Sequence, residues 1–345
     1  MRLIGHERVG AWARACLQAA GVPEGDAAIV ADALVQTSLW GIDSHGVLRL
    51  THYLDRLQRG STQPVAPGRF ESTGPCTGSM DGDNGLGILH CVRAMDRAID
   101  LAQANGLGVV GVRRSSHCGA VGLYARQAAR AGLVGMAFTQ ANAIVVPFGG
   151  RRAFLGTNPI AMAFPRADDV PLCLDMATSQ VAFNRVINAR IENRTVPPGL
   201  VVDEHGEPTT DPHAAVAITP LGGADYGYKG YGLALMVDLL CGGLNGMALG
   251  PHITPMYEAL DMPQDLGHLV IAIDPRRFAG GATLASAVSA MAAELPREPG
   301  HVQLPGDPEL RSEQTRRVSG IPFEPGALAD MRAWSERLGV TPLAA

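Results

Sequence analysis

At 345 residues the chain exceeds one minimal hydrophobic core, so two or three packed lobes are expected. Charged residues make up 18% and the hydrophobic set 46%, a balance that excludes an intrinsically disordered chain. The 33 acids against 28 bases give a net charge of -5, and no lysine or arginine block can track a phosphate backbone, which argues against a nucleic-acid partner.

The amino terminus turns polar at His6-Glu7-Arg8 before the apolar core of a signal peptide can develop. Residues 8–20 and 26–40 carry the patterning of two helices divided by Gly21-Val22-Pro23, with Asp26 placed to cap the second. The helical lobe is expected to continue through His45 and Arg49 to Gly60, and the Pro- and Gly-rich passage 63–68 marks a change of layer. Next come a β-like segment at 78–81, a helix over 89–104, a strand at 108–112, a helix over 122–131 and a strand at 134–139. Residues 144–176 alternate short apolar runs with Pro and Gly, the pattern of several strands and tight turns. The polar stretch 196–212 predicts an exposed loop or hairpin, 230–242 an apolar helix, and 268–273 another strand. The apolar run 232–240 holds Asp238 and is too short to cross a bilayer. Gly306-Asp307-Pro308-Glu309 has the order of a helix start with Asp307 as its cap. Strands and helices intermingle, which predicts an α/β protein.

Six cysteines without a Cys-x-x-Cys pair fit a reducing cytoplasm better than a disulfide scaffold or a zinc site. Gly106-Leu107-Gly108-Val109-Val110-Gly111 matches a dinucleotide fingerprint letter by letter. That fingerprint must lie between a strand and a helix, whereas this run follows a helix and enters a strand, so it reads as a helix cap leading into a buried strand.

His45 and Arg49 are four residues apart, a spacing that puts them on one side of a helix. An imidazole exchanges protons near neutral pH and a guanidinium grips a carboxylate through two hydrogen bonds. Together they suit a small carboxylate substrate. His117 lies at a strand-to-helix junction and is a second acid/base candidate. No residue near it has metal-ligand spacing, so no metal is expected, and Cys118 reads as a packed small residue. The run from Gly222 to Gly232 reads as a glycine-rich loop feeding an apolar helix, where Lys229 either helps to hold a phosphate or is simply solvated. Asp175-Met176-Ala177-Thr178-Ser179 ends a strand with groups able to bind a ribose or to cap the next helix, and Asn158-Pro159 is turn chemistry first.

Six ordered segments resemble the type-2 malate/L-lactate dehydrogenase family over about residues 5–325. They are Ser44-His45-Gly46 with Arg49 and Tyr53, Ser116-His117-Cys118-Gly119, Gly156-Thr157-Asn158-Pro159-Ile160-Ala161, Leu174-Asp175-Met176-Ala177-Thr178-Ser179, Gly227-Tyr228-Lys229-Gly230-Tyr231-Gly232-Leu233 and Leu304-Pro305-Gly306-Asp307-Pro308-Glu309. Pro147-Phe148-Gly149-Gly150, Met256-Tyr257 and Leu266-Gly267-His268-Leu269 look most like its ureidoglycolate dehydrogenase branch. At Phe183-Asn184-Arg185 the chain departs from the Gly-Lys pair common in relatives.

The resemblance implies an NAD- or NADP-dependent oxidoreductase with a non-Rossmann α/β fold: a mixed, largely antiparallel sheet flanked by helices, with a helical N-terminal lobe. The expected division is a helical lobe at 1–72, a substrate or core lobe from 73–118 and 266–300, a cofactor lobe at 119–265 and a helical tail at 301–345. A homodimer with active sites near the subunit interface is implied as well. Ser44, Arg49 and Tyr53 would face the substrate, while His117 carries the proton with His45 assisting, the opposite assignment remaining open. Ala141, Asn158, Asp175, Met176, Ala177, Lys229, Gly230, Leu304, Pro305 and Gly306 match the family's cofactor-binding regions.

The implied reaction moves a hydride between nicotinamide and a small 2-hydroxy or 2-keto acid such as ureidoglycolate, malate or lactate. The alternatives are NAD(P)H-dependent reduction of a cyclic imino acid, Δ1-pyrroline- or piperideine-2-carboxylate, and a non-catalytic nucleotide-binding protein. NAD against NADP stays open because no residue can be placed at the ribose 2′ position from sequence.

Overall fold

The computed structural model describes residues 1–168 and 170–343. The chain begins with strand β1 (Arg2–Ile4), helices α1 (His6–Ala19) and α2 (Glu24–Leu39), a 3₁₀ turn at Val47–Arg49 and helix α3 (Leu50–Arg59). Val9, Ala13 and Leu17 of α1, Val30 and Leu34 of α2, and Leu50 and Leu54 of α3 recur at helical spacing and share one buried cluster, so the helical N-terminal lobe is present. Two- and three-residue β-strand pairings were not legible from pattern. One of them joins β1 antiparallel to β12 (Ile321–Phe323) near the other end of the chain.

The central elements follow in order: β2 (Arg69–Ser72), β3 (Thr77–Asp81), α4 (Gly87–Asn105), β4 (Leu107–Ser115), α5 (Gly122–Arg130), β5 (Val134–Thr139), β6 (Ile160–Phe164) and β7 (Leu172–Met176). After α6 (Phe183–Ile191) come the short strands β8 (Val201–Val202), β9 (Pro208–Thr209) and β10 (Ala217–Ile218), then α7 (Gly223–Cys241) and β11 (Leu266–Ile273). Helices α8 (Gly281–Glu294), α9 (Asp307–Ser319) and α10 (Pro325–Leu338) complete the chain.

Strands β2-β3-β4-β11-β5-β6-β7 form a seven-stranded sheet in that order. Within this sheet only the β3–β4 pair is parallel among the described residues, which makes it mixed and largely antiparallel. Strand β11 enters between β4 and β5 and is apolar along most of its length because both of its faces are covered. Met95 and Ala98 of α4 and Ala125 and Ala128 of α5 pack on one face, and Val237 and Cys241 of α7 on the other. Gly106 caps α4 in the left-handed conformation and β4 begins at Leu107, so the apparent fingerprint is the expected cap and strand.

Several local expectations are corrected. His45 lies in the turn after α2, so its spacing to Arg49 is not that of one helix. Helix α7 starts at Gly223, so the expected glycine-rich loop is mostly helical and Lys229 lies beyond the free amides of the first turn. Gly227 and Gly230 are buried there, and a Cβ on Gly230 would sit 2.4 Å from the Leu221 amide nitrogen; close packing outweighs their poor helix propensity. Asp26 lies inside α2 and pairs with Arg93 at 2.5 Å, Pro23 holding the cap position. Asp307 is the first residue of α9 rather than its cap, which is Gly306. The 196–212 stretch contributes buried Val201 and Val202 to a three-stranded sheet with β10.

Candidate active site

The chain leaves α2 and turns through Ser44 and His45 into the 3₁₀ turn. Ser38 Oγ accepts the Val47 amide at 2.9 Å, and a Cβ on Gly46 would fall 2.2 Å from that oxygen, so the turn closes on α2 only with glycine there. Arg316 of α9 clamps the same turn through the two Asp43 carboxylate oxygens at 2.5 and 2.9 Å. The facing wall is the loop after β4. Ser116 Oγ accepts the Gly87 amide at 3.0 Å and donates to Gly85 O at 2.9 Å, while the His117 amide donates to Gln264 Oε1 at 3.0 Å.

The two walls bring the histidines together, with ring centroids 5.3 Å apart. The Tyr53 hydroxyl lies 2.7 Å from His117 Nδ1, the Gly119 amide approaches the same nitrogen at 3.3 Å, and Ser44 Oγ lies 2.8 Å from His45 Nδ1. Both imidazoles are thus anchored through Nδ1, and no hydrogen bond from the described residues occupies either Nε2. Arg49 donates from Nε and Nη2 to Ser44 O at 3.0 and 2.7 Å, and from Nη1 to the Tyr257 hydroxyl at 2.5 Å. A guanidinium has five N–H donors, so one remains on each Nη, the fork that a carboxylate accepts.

Burial, followed by the Arg49 charge, pushes His45 down to about 4. Burial and then His45 and Arg49 hold His117 well below the ordinary histidine value. His52 is lowered to about 4, first by burial and then by Arg56 and Arg49. All three rings are therefore neutral at pH 7. Burial raises the Tyr53 phenol, which stays protonated beside His117.

The malate/L-lactate dehydrogenase family profile matches residues 4–332. The chain belongs to the malate/L-lactate dehydrogenase family. It is 39% identical over 307 residues to ureidoglycolate dehydrogenase (NAD(+)) of Escherichia coli O157:H7, covering 88% of this chain and 87% of that protein. It is 37% identical over 338 residues to (2R)-3-sulfolactate dehydrogenase (NADP(+)) of Chromohalobacter salexigens, covering 97% and 98%. The solved sulfolactate dehydrogenase from Methanocaldococcus jannaschii superposes with a TM-score of 0.89 at 32% identity, covering 99% of this chain and 98% of that one. This member of the dehydrogenase family is accordingly an oxidoreductase, with the non-Rossmann sheet that the resemblance implied.

The segments expected from the resemblance to hold the cofactor lie in three places. Asp175, Met176 and Ala177 end β7, where Asp175 Oδ2 accepts the Gly122 amide of α5 at 2.8 Å and burial raises its pKa to about 6. Leu304, Pro305 and Gly306 adjoin them, the Cys173 amide donating to Pro305 O at 3.4 Å. Asn158 is fully buried and accepts the Ala141 amide at 3.0 Å while donating to Ala234 O of α7 at 2.9 Å, so it ties that loop to the helix. Gly230 is buried in α7, whereas Lys229 is exposed with Nζ 5.5 and 5.9 Å from the Tyr226 and Tyr228 ring centroids. Among the described residues no hydrogen bond or ion pair joins Lys229 to the histidine pair. Beside Gly306, the buried Nη1 of Arg126 has no hydrogen-bond partner among the described residues, an unmet donor that fits a phosphate-bearing nucleotide.

Sequence reasoning missed three neighbours of the site. Tyr257 holds Arg49 and stacks edgewise on His52 at 5.4 Å, and Gln264 holds the His117 amide. Tyr257 had a signal in the Met256-Tyr257 branch likeness; Gln264 and His52 had none. Cys118 is buried as expected, but a hydrogen bond from Cys91 pulls its thiol well below the ordinary range. The ligating atoms of Cys91, Cys118 and His268 all lie within 4.8 Å of one another. His268 is already bonded to Thr139 Oγ1 at 2.7 Å and Ser116 O at 3.2 Å, so the group packs the core behind the site.

Proposed function

We propose that this enzyme oxidises a small 2-hydroxy carboxylic acid, or reduces the matching 2-keto acid, with NAD or NADP. The observation that carries this reading is the convergence of two neutral imidazoles, each with a free Nε2, on a guanidinium with an open N–H fork. The hydride acceptor or donor would be the nicotinamide of a dinucleotide held by the segments at Asp175, Lys229 and Gly306.

Arg49 holds the substrate carboxylate through its fork and sets the reacting carbon against the histidines; such positioning supplies a large share of barrier reduction. His117 takes the hydroxyl proton at Nε2 on oxidation and returns it on reduction, with His45 sharing the proton path. To accept at Nε2 the neutral ring must already carry its own proton on Nδ1, donated to the Tyr53 oxygen 2.7 Å away in place of the longer Gly119 contact. Ser44 fixes both partners, through its hydroxyl on His45 and its carbonyl on Arg49.

A homodimer in a reducing cytoplasm is part of the same reading. Helix α7 exposes Leu233, Met236, Leu239 and Leu240, an apolar face suited to a second copy, and all six cysteines are free. No helix among the described residues is long and apolar enough to cross a membrane.

A steady-state panel of ureidoglycolate, malate, lactate and sulfolactate, each with both dinucleotides, tests the reading. Turnover of at least one is expected. Turnover confined to Δ1-pyrroline- or piperideine-2-carboxylate moves the proton to nitrogen instead, and dinucleotide binding without any turnover overturns the enzymatic reading.

A further inference from the structure

A cavity of about 50 Å³ opens between α5, α9 and the edge strand β7, away from the histidine pair. Arg126, Arg130, Arg166, Trp40, Pro305 and Gly306 form much of its wall. Arg126 is only 6% exposed and stacks on Trp40 with its guanidinium carbon 4.2 Å from the ring centroid. Neither its Nη1 nor Arg166 Nε has a hydrogen-bond partner among the described residues, although both atoms are buried. A buried donor left unmade carries a desolvation cost that a ligand can remove.

Of the carboxylates near the pair on α5, Glu309 on the first turn of α9 has a buried Oε2 without a hydrogen-bond partner among the described residues, and the others are bonded elsewhere. Glu313 is taken by Arg317 at 2.6 Å and by Trp40 Nε1 at 2.9 Å, and Asp307 Oδ2 accepts the Leu304 amide at 3.1 Å. Arg166 pairs with Asp168 at 2.7 Å, but no ion pair reaches Arg126 or Arg130 among the described residues. Burial, and then the Arg126 charge, hold Arg130 below the ordinary arginine value, with the Glu313 charge acting the other way.

The backbone adds to this. Gly306 is left-handed at φ +96 and caps α9; a Cβ there would lie 3.2 Å from Arg126 Nη2 and 3.2 Å from Cys173 O. The guanidinium is therefore packed directly on the start of a 13-residue helix, whose positive end favours an anion. Pro305 and Gly306, which the family resemblance assigns to cofactor binding, also line the cavity. Gly122 at the start of α5 is held by Asp175, and Arg126 and Arg130 lie roughly 6 and 12 Å further along the helix axis.

We propose that this cavity binds a phosphoryl group, delivered as the 2′-phosphate of NADP(H). Paired guanidinium groups at a helix start match a phosphate dianion in charge and in fork geometry. The inference rests on the dinucleotide reading above. Free inorganic phosphate shares the same chemistry and is the other source to be separated.

Equilibrium binding of NADPH, NADH, 2′,5′-ADP, 5′-AMP and inorganic phosphate is measured on the full chain and on Arg130→Gln and Arg126→Gln. Arg130 keeps more solvent contact than the buried Arg126, so its variant keeps the test decisive if Arg126→Gln fails to fold. The 2′-phosphorylated ligands should bind about tenfold or more tightly than their partners, as expected for charge-assisted hydrogen bonds. Arg130→Gln should erase that preference and leave NADH affinity unchanged. Equal affinity for NADPH and NADH, with phosphate binding that Arg130→Gln weakens, supports the site and assigns it to the free anion. Equal dinucleotide affinities with no phosphate binding sensitive to either variant overturn the site. Failure of both dinucleotides to bind sinks the proposed function instead, and the phosphate titration alone then decides the cavity.

Discussion

The Tyr53 hydroxyl lies 2.7 Å from His117 Nδ1 although 64 residues separate the two in the chain. This contact orients, from the helical lobe, the ring proposed to carry the proton, and burial keeps the phenol protonated. Tyr53→Phe removes the shorter of the two contacts at Nδ1 and keeps an aromatic ring whose centroid lies 6.0 Å from that of His117. It should lower kcat about tenfold, the worth of one hydrogen bond to a group that becomes charged, and leave KM nearly unchanged. Equal loss in kcat and in thermal stability, with an unaltered pH profile, would make Tyr53 merely structural.

His117→Gln should retain dinucleotide binding, measured by fluorescence titration, while turnover falls roughly 100- to 10,000-fold, the usual contribution of a positioned acid/base. Near-normal turnover would pass the proton to His45.

Folding lowers the pKa of His45 and His117, both bases, so the unfolded chain takes up protons first as pH falls. Their contribution to stability is therefore greatest above the ordinary value of 6.5 and declines as pH drops toward about 4. The acid limb of kcat/KM for oxidation should likewise lie below 6.5. Arg49→Gln removes the second cause of the His45 shift, so its acid limb should move up, yet stay below the ordinary value because burial persists. An acid limb at 6.5 in the parent enzyme would show that the rings are not desolvated.

Asp175 behaves in the opposite sense. Its pKa is raised to about 6, so between about 4 and 6 the folded chain holds more protons and stability falls as pH rises through that window. Asp175→Asn keeps an acceptor for the Gly122 amide without the buried charge. Thermal melts should show a Tm at pH 7.5 at or above the parent and a weaker pH dependence below it; a lower Tm at pH 7.5 would mean that the carboxylate charge is needed for folding.

Residue chemistry was more legible than residue geometry. Strand β5 matches the expected 134–139 at both ends because its alternating pattern is local. His45, Arg49 and His117 were visible as polar groups at junctions of apolar elements. Their arrangement was not, because the turn around His45 depends on Ser38, Gly46 and Arg316, contacts that local spacing does not encode. Helix α7 defeated a glycine-based loop assignment since packing of Gly230 on Leu221 decides it. Tyr257 reaches Arg49 across 208 residues, a proximity created only by folding.

Arg49 is proposed to present its two unpaired N–H groups to a carboxylate beside the two imidazoles. The most direct measurement is kcat/KM for a turned-over 2-hydroxy acid and for its neutral amide, in the parent and in Arg49→Gln. The parent should prefer the acid by about 100-fold, the worth of a two-point charged grip, and the variant should lose most of that preference while still binding dinucleotide. A variant that discriminates acid from amide as strongly as the parent would contradict the account.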